Sequence, residues 1–208
     1  MTEDPTVLQH VWLVRHGEQV RHRDGALTVR GTQQADAVMR RLRTEPIGRI
    51  VISPARRARD SATPLLIDGP AVPVRVDDRA RERMEYDPPV VDDASWDAFR
   101  EAWDRTERDR DLVPAVGDSS RAAAARLRHL IDDALPDAGD LVVVTHGGII
   151  RDVLRDTDDE MRSHRPDALA GLPHGSITRL DVVALGYHVG EIGTTEHLPG
   201  SLSADPHQ

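Results

Sequence analysis

Apolar residues fall along this chain in two alternating patterns. Residues 11–14 (VWLV), 49–52 (RIVI) and 141–144 (LVVV) carry short, nearly continuous apolar runs with many β-branched side chains. Such runs predict strands buried on both faces, as in a parallel sheet. Helical spacing follows them. Ala35, Val38, Met39 and Leu42 predict a helix over 28–43, with Thr28 as its N-cap and Glu45-Pro46 as its stop. Ala123, Leu127, Leu130, Ile131 and Ala134 form one stripe of a helix over 119–135, closed by Pro136. Ile149, Ile150, Val153 and Leu154 predict a helix directly after the third run. A third strand is expected at 73–76, and a final strand pair at 176–183 and 187–192. This alternation predicts an α/β fold, a three-layer α/β/α sandwich around a mostly parallel sheet.

The alternation breaks over 77–118. A helix is expected inside it, over 95–110, with Trp96, Phe99 and Trp103 at helical spacing. Four of the six aromatic residues (Tyr86, Trp96, Phe99, Trp103) lie in this segment, which reads as a lid-like insertion. They either pin the insertion to the body or line a substrate pocket. From Thr194 to the end the chain turns polar and rich in Gly and Pro, so residues 194–208 are expected to form a loose tail. The whole of 1–208 reads as one domain.

Composition narrows the chemistry. There is no cysteine, so disulfides, thiol catalysis and thiolate metal sites are excluded. The net charge of −9 argues against general nucleic-acid binding, and no apolar stretch is long enough to span a bilayer. A cytoplasmic location is expected. All 27 basic residues are arginine, which excludes Schiff-base chemistry and a Walker-type lysine. No His-Glu-x-x-His, His-x-His or calcium-loop spacing occurs, so no metal is expected.

Three predicted strands end in chemically rich residues just before a helix or turn. They are Arg15-His16-Gly17-Glu18, Ser53-Pro54 with Arg57, and Thr145-His146-Gly147-Gly148. In a parallel sheet these C-terminal ends share one edge, where open α/β sheets bind ligands. Two guanidiniums and two helix N-termini suit a phosphate, and two imidazoles supply a nucleophile and a donor. Glycine at position 17 permits a tight turn and close backbone approach.

In these blocks the sequence resembles the histidine phosphatase superfamily, the phosphoglycerate mutase-like fold. The resemblance extends to Leu27-Thr28-x-x-Gly31-x-x-Gln34-Ala35, Arg81-Glu82, Gly117-Asp118-Ser119 and Gly175-Ser176-Ile177-Thr178, in the family's order over about residues 10–180. It implies a metal-independent, histidine acid-type phosphatase that hydrolyses a small phosphate monoester and needs no cofactor. His16 would be the nucleophile that becomes phosphohistidine. Arg15, Arg57, His146 and Gly147 would hold the phosphate, and Glu82 would be the general acid. Where the family carries a polar pair after the first motif, this chain has Gln19 and His22. The Gly-x-Trp-Glu-Gly continuation of the acid motif is absent, and Glu85 offers a second carboxylate three residues on. His174 is a candidate for the pocket's border. The rival readings are phosphoryl transfer of the phosphoglycerate-mutase type on the same site and a non-catalytic binding module. The family's mutases usually carry longer insertions, which favours hydrolysis. A homodimer is left open, and neither a nucleic-acid nor a membrane partner is expected.

Overall fold

A computed structural model of the chain describes residues 6–20, 25–86, 92–157, 171–184 and 186–203. Six strands form one mixed sheet: β1 (Gln9–Arg15), β2 (Ile47–Ile52), β3 (Val74–Val76), β4 (Asp140–Thr145), β5 (Ile177–Val183) and β6 (Gly186–Thr194). Their spatial order is β3-β2-β4-β1-β5-β6. The pairs β3–β2, β2–β4 and β4–β1 run parallel, while β1–β5 and β5–β6 run antiparallel.

The continuous apolar runs are explained by burial on both faces. Side chains alternate across a strand, so each run feeds two cores. Val11, Leu13, Leu141 and Val143 pack with α4 (Ser120–Ala134) and α5 (Gly147–Thr157). Trp12, Val14, Val142 and Val144 pack on the other face with α1 (Val29–Leu42) and α2 (Arg56–Asp68). Thr28 caps α1 by accepting from the Gly31 amide, and Ser119 caps α4 by accepting from the Ala122 amide. The insertion's helix, α3 (Asp93–Arg108), starts two residues earlier than its aromatic spacing suggests. Asp92 and Ser95 close a reciprocal capping box there.

Parallel register places the site. Arg15 pairs with Thr145, and Ile52 with Val144, so His16, His146 and Ser53 emerge beside one another past the strand ends. A 3₁₀ turn, Asp78–Ala80, leads toward Glu82 on the same side, where the Thr145 hydroxyl donates to the Ala80 carbonyl at 2.6 Å.

The expectation of a loose tail from Thr194 does not hold over residues 194–203. Strand β6 runs to Thr194, and α6 (Gly200–Ser203) follows. Leu198 and Leu202 bury against Ala37, and the Gln34 side chain donates to the Leu202 carbonyl at 2.9 Å. Two leucines in a polar stretch supply enough apolar surface to hold it down, which a composition average hides. No helix among the described residues is long and apolar enough to cross a membrane.

Candidate functional site

His16 sits just past β1, almost fully buried, its backbone still laddered to β4 through its N–H and the Thr145 carbonyl at 3.0 Å. Its Nδ1 lies 2.8 Å from the carbonyl oxygen of Gly17. A carbonyl only accepts, so the proton is on Nδ1 and Nε2 presents a bare lone pair. Burial, then the Arg57 guanidinium, holds this imidazole well below the ordinary histidine range, so it is neutral near pH 7.

The loop carrying His16 is backed onto the start of α1. A Cβ at Gly17 would lie 2.4 Å from the Gly31 carbonyl oxygen, and one at Gly31 would lie 2.0 Å from the Glu18 carbonyl oxygen. Only glycine fits at either position. The Gln34 side chain accepts from the Glu18 amide at 2.8 Å while donating to Leu202, so the C-terminal segment buttresses the loop that carries His16. His197 bonds the Gly175 carbonyl, and the Gly175 amide donates to the His16 carbonyl at 3.1 Å. Thr28, Gly31 and Gln34 thus serve the loop as scaffold.

Arg57, in the first turn of α2, is 7% exposed and joins the two histidines. Its single Nε–H is shared between His16 Nε2 at 3.2 Å and His146 Nδ1 at 3.1 Å. That leaves His146 to donate from Nε2 to the Ser53 hydroxyl, 2.7 Å away. His146 is also held well below the usual range by burial and by Arg57. Ser61, four residues along α2, accepts from the Gly17 amide at 2.9 Å and donates to the Arg57 carbonyl at 2.7 Å. It was not singled out from the sequence. Its spacing from Arg57 on one helical face is the signal that could have found it. Arg56 and Arg59 point into solvent from α2.

Arg15 donates from Nη1 to the Leu172 carbonyl and from Nη2 to His174 Nε2 at 2.8 Å. The His174 ring lies 5.5 Å from that of His16, so His174 does border the pocket. Gly147 opens α5, and a Cβ there would press on the Arg15 side chain at 3.1 Å. Gln19 forms an isolated bridge to Leu27 and makes no hydrogen bond to the other site residues among the described ones. His22 lies outside the described residues.

Glu82 and Glu85 take different places. Glu82 caps α5: Oε1 accepts from the Ile149 and Arg83 amides, both at 2.8 Å, and Oε2 accepts from the Gly148 amide at 3.0 Å. A carboxylate there complements the helix dipole. Glu85 is 41% exposed and grips Arg57 Nη2 with both oxygens, at 3.1 and 2.9 Å. The pocket therefore gathers His16, His146, Arg15, Arg57 and two carboxylates at one sheet edge. Among the described residues no group of three or more His, Asp or Glu is arranged to hold a metal ion.

Comparison with known proteins agrees with this geometry. The model of the histidine phosphatase superfamily (branch 1) matches residues 11–193. The chain belongs to that superfamily. It is 29% identical to the adenosylcobalamin/α-ribazole phosphatase of Salmonella typhimurium, over 67% of this chain and 75% of that one. It is 32% identical to the Erwinia tasmaniensis protein named "Probable phosphoglycerate mutase GpmB", over 66% of this chain and 69% of the other. Among solved structures, the mycobacterial glucosyl-3-phosphoglycerate phosphatase in complex with VO3 superposes with a TM-score of 0.73 at 25% identity, covering 90% of this chain and all of that one. The α/β fold is the one seen in these histidine phosphatase neighbours.

Proposed function

We propose that this superfamily member hydrolyses a small phosphate monoester through a phosphohistidine on His16, without a metal. The observation that carries this reading is the 2.8 Å bond from His16 Nδ1 to the Gly17 carbonyl, which aims a neutral Nε2 into an arginine-lined pocket. Nε2 attacks phosphorus as the ester P–O bond breaks. Arg57, Arg15, His146 and the Gly147 amide hold the equatorial oxygens, taking the charge that metal ions neutralise in other phosphoryl-transfer enzymes. Burial and then the guanidiniums keep His146 neutral; arrival of a dianion offsets those guanidiniums and lets His146 take a proton on Nδ1 and donate to the phosphate, while His16 stays neutral to attack. Glu82 gives the leaving oxygen its proton from Oε2, the oxygen with only one amide partner. It then takes a proton from the water that cleaves the N–P bond and releases phosphate.

A rapid-quench experiment with a ³²P-labelled monoester tests this reading. The expected result is an acid-labile, base-stable phosphoenzyme that His16→Ala does not form, with free phosphate as product. An acid-stable adduct would sink it. The second reading, transfer of the phosphoryl group to another hydroxyl, is favoured by the 32% relative named as a mutase. Migration of label between positions of one substrate, in place of phosphate release, would establish it.

A further inference from the structure

The carboxylate at Glu85 is not used by the reaction just described, yet it lies within reach of the reacting group. Arg57 is one rigid plane whose Nε touches both histidines and whose Nη2 touches Glu85. The Glu85 oxygens are thus separated from His16 Nε2 by two hydrogen bonds and the width of a guanidinium, roughly 8 Å at most. With the phosphate on His16 and the leaving oxygen at Glu82, as proposed above, the ester carbon is carried toward the segment that holds Glu85. Arg57 Nη1 donates to no acceptor among the described residues, so it is available to a phosphate while Nη2 keeps Glu85 in place.

Both arginines of the same segment are engaged with other carboxylates. Arg81 is engaged by Asp78 and Asp118, and Arg83 is buried against Asp152 and Glu107. What continues from Glu85 is aromatic. Tyr86 packs edge-on to Trp96 and Phe99, at 5.0 and 5.3 Å, and Phe99 leads to Trp103 at 6.0 Å. Trp103 reaches back to the start of α5, where a Cβ at Gly148 would meet its ring at 2.3 Å and Glu82 Oε1 at 2.7 Å. Carboxylates and aromatic faces receive a cation or a neutral group, and a second anion near them raises the energy of the complex.

We propose that Glu85 selects the leaving group by charge, so that the site takes phosphomonoesters of neutral or cationic alcohols and disfavours those with an anion beside the ester. The inference rests on the phosphatase reading and names its substrate class. Three small probes differ mainly in that charge: 2-phosphoglycolate, its neutral amide 2-phosphoglycolamide, and O-phosphoethanolamine. Wild type should show kcat/KM highest for the amine and lowest for the carboxylate. Glu85→Gln should raise the carboxylate-to-amide ratio roughly five- to tenfold, the effect of one charge at this range in a partly solvated site, and should lower the amine-to-amide ratio. Because the readout is a ratio, a general loss from disturbing Arg57 cancels.

An unchanged ratio would overturn the proposal. So would a Glu85→Gln defect that grows with leaving-group basicity, which would make Glu85 the proton donor. Competition binding of the same compounds to His16→Ala separates the two layers of argument. If wild type turns over none of them, the phosphatase reading fails, while a charge order in binding that Glu85→Gln flattens still supports the selectivity. Binding without any charge order sinks it.

Discussion

Arg57 and Arg83 are both buried, at 7% and 0% exposure; Arg83 lies within the Glu82–Glu85 segment, and Arg57 meets that segment from α2. Their surroundings differ in kind. Arg57 faces two neutral imidazoles and one half-exposed carboxylate. Arg83 is closed in by the protein's own acids, with Nη1 2.7 Å from Asp152, Nη2 2.8 Å from Glu107, and Trp103 stacked 4.1 Å from its guanidinium. Ser120 donates to the same Asp152 oxygen at 2.7 Å, tying α4 and α5 to the segment. Glu107 also pairs with Arg151 and Arg155. A buried cation matched by only one half-exposed anion leaves room for another anion to arrive, whereas one enclosed by two anions is a clamp. The first cluster suits an anionic ligand, and the second holds the Glu82–Glu85 segment in place.

The sharpest test of that contrast is His16→Ala. It should remove essentially all phosphatase activity, with a circular dichroism spectrum like wild type, since among the described residues the imidazole hydrogen-bonds only the Gly17 carbonyl and Arg57. Residual turnover above a hundredth of wild type would break the assignment of the first cluster.

Next comes the acid. Glu82→Gln should slow alkyl phosphates by about 10²–10⁴-fold and a nitrophenyl ester much less, as general acid catalysis requires. The comparison is made with Glu85→Gln, which should show little dependence on leaving-group basicity. A steep dependence at Glu85 alone would reverse the two roles.

The clamp should show itself in stability. Arg83→Met leaves Asp152 without its cation while Glu107 keeps Arg151 and Arg155, and breaking a buried pair on one side costs about 3–5 kcal/mol, read from the urea midpoint. Adding Asp152→Leu should restore part of that loss. A cost below about 1 kcal/mol would mean that the clamp is ornamental.

Ligand linkage separates the clusters again. Vanadate, a mimic of five-coordinate phosphorus, should stabilise wild type by about 2.7 kcal/mol at a hundred times its Kd. Arg57→Ala should lose that stabilisation, and EDTA should leave turnover unchanged. Magnesium-restored activity after EDTA would contradict the arginine-histidine pocket.

The smallest effects are in pH. His16 and His146 have folded values depressed below 6.5 by burial, so the unfolded chain binds their protons first. Their contribution to stability is present above 6.5 and is lost as pH falls, by up to about 1.4 kcal/mol per unit for each group. Asp152 is the opposite case, pushed up to about 7 by burial despite Arg83, and its Oδ2 has no hydrogen-bond partner among the described residues. There the folded chain binds the proton first, so its contribution is present at low pH and lost as pH rises between about 4 and 7. Asp152→Asn should therefore steepen the fall in stability on the acid side, and His16→Ala should flatten it. Chemical denaturation at several pH values checks both slopes.

Much of the site was legible because its parts sit at strand ends. Each apolar run of four residues followed by Arg-His-Gly or Thr-His-Gly marks a buried strand with a ligand edge, and the chain's order brings those edges together only in a parallel sheet. The cap at Thr28 follows from a side chain that accepts an amide three residues on. The expected loose tail does not hold over 194–203 because polar composition says nothing of where two leucines land. Gln34 and Asp152 act through partners distant in sequence, which no local pattern shows, and Ser61 has only its helical spacing from Arg57 to mark it.

By itself the sequence determined the strand and helix inventory, the family blocks and the residue types at the reacting edge. Tertiary structure decided which arginine is which. All 27 basic residues are arginine, and each carries the same charge, so only the packed surroundings separate Arg57, open to an incoming anion, from Arg83, closed by Asp152 and Glu107. Tertiary structure also parted Glu82 from Glu85, one capping α5 and the other paired with Arg57. The physical reason is that charge acts through distance and burial, and both are set by chain segments far apart in sequence.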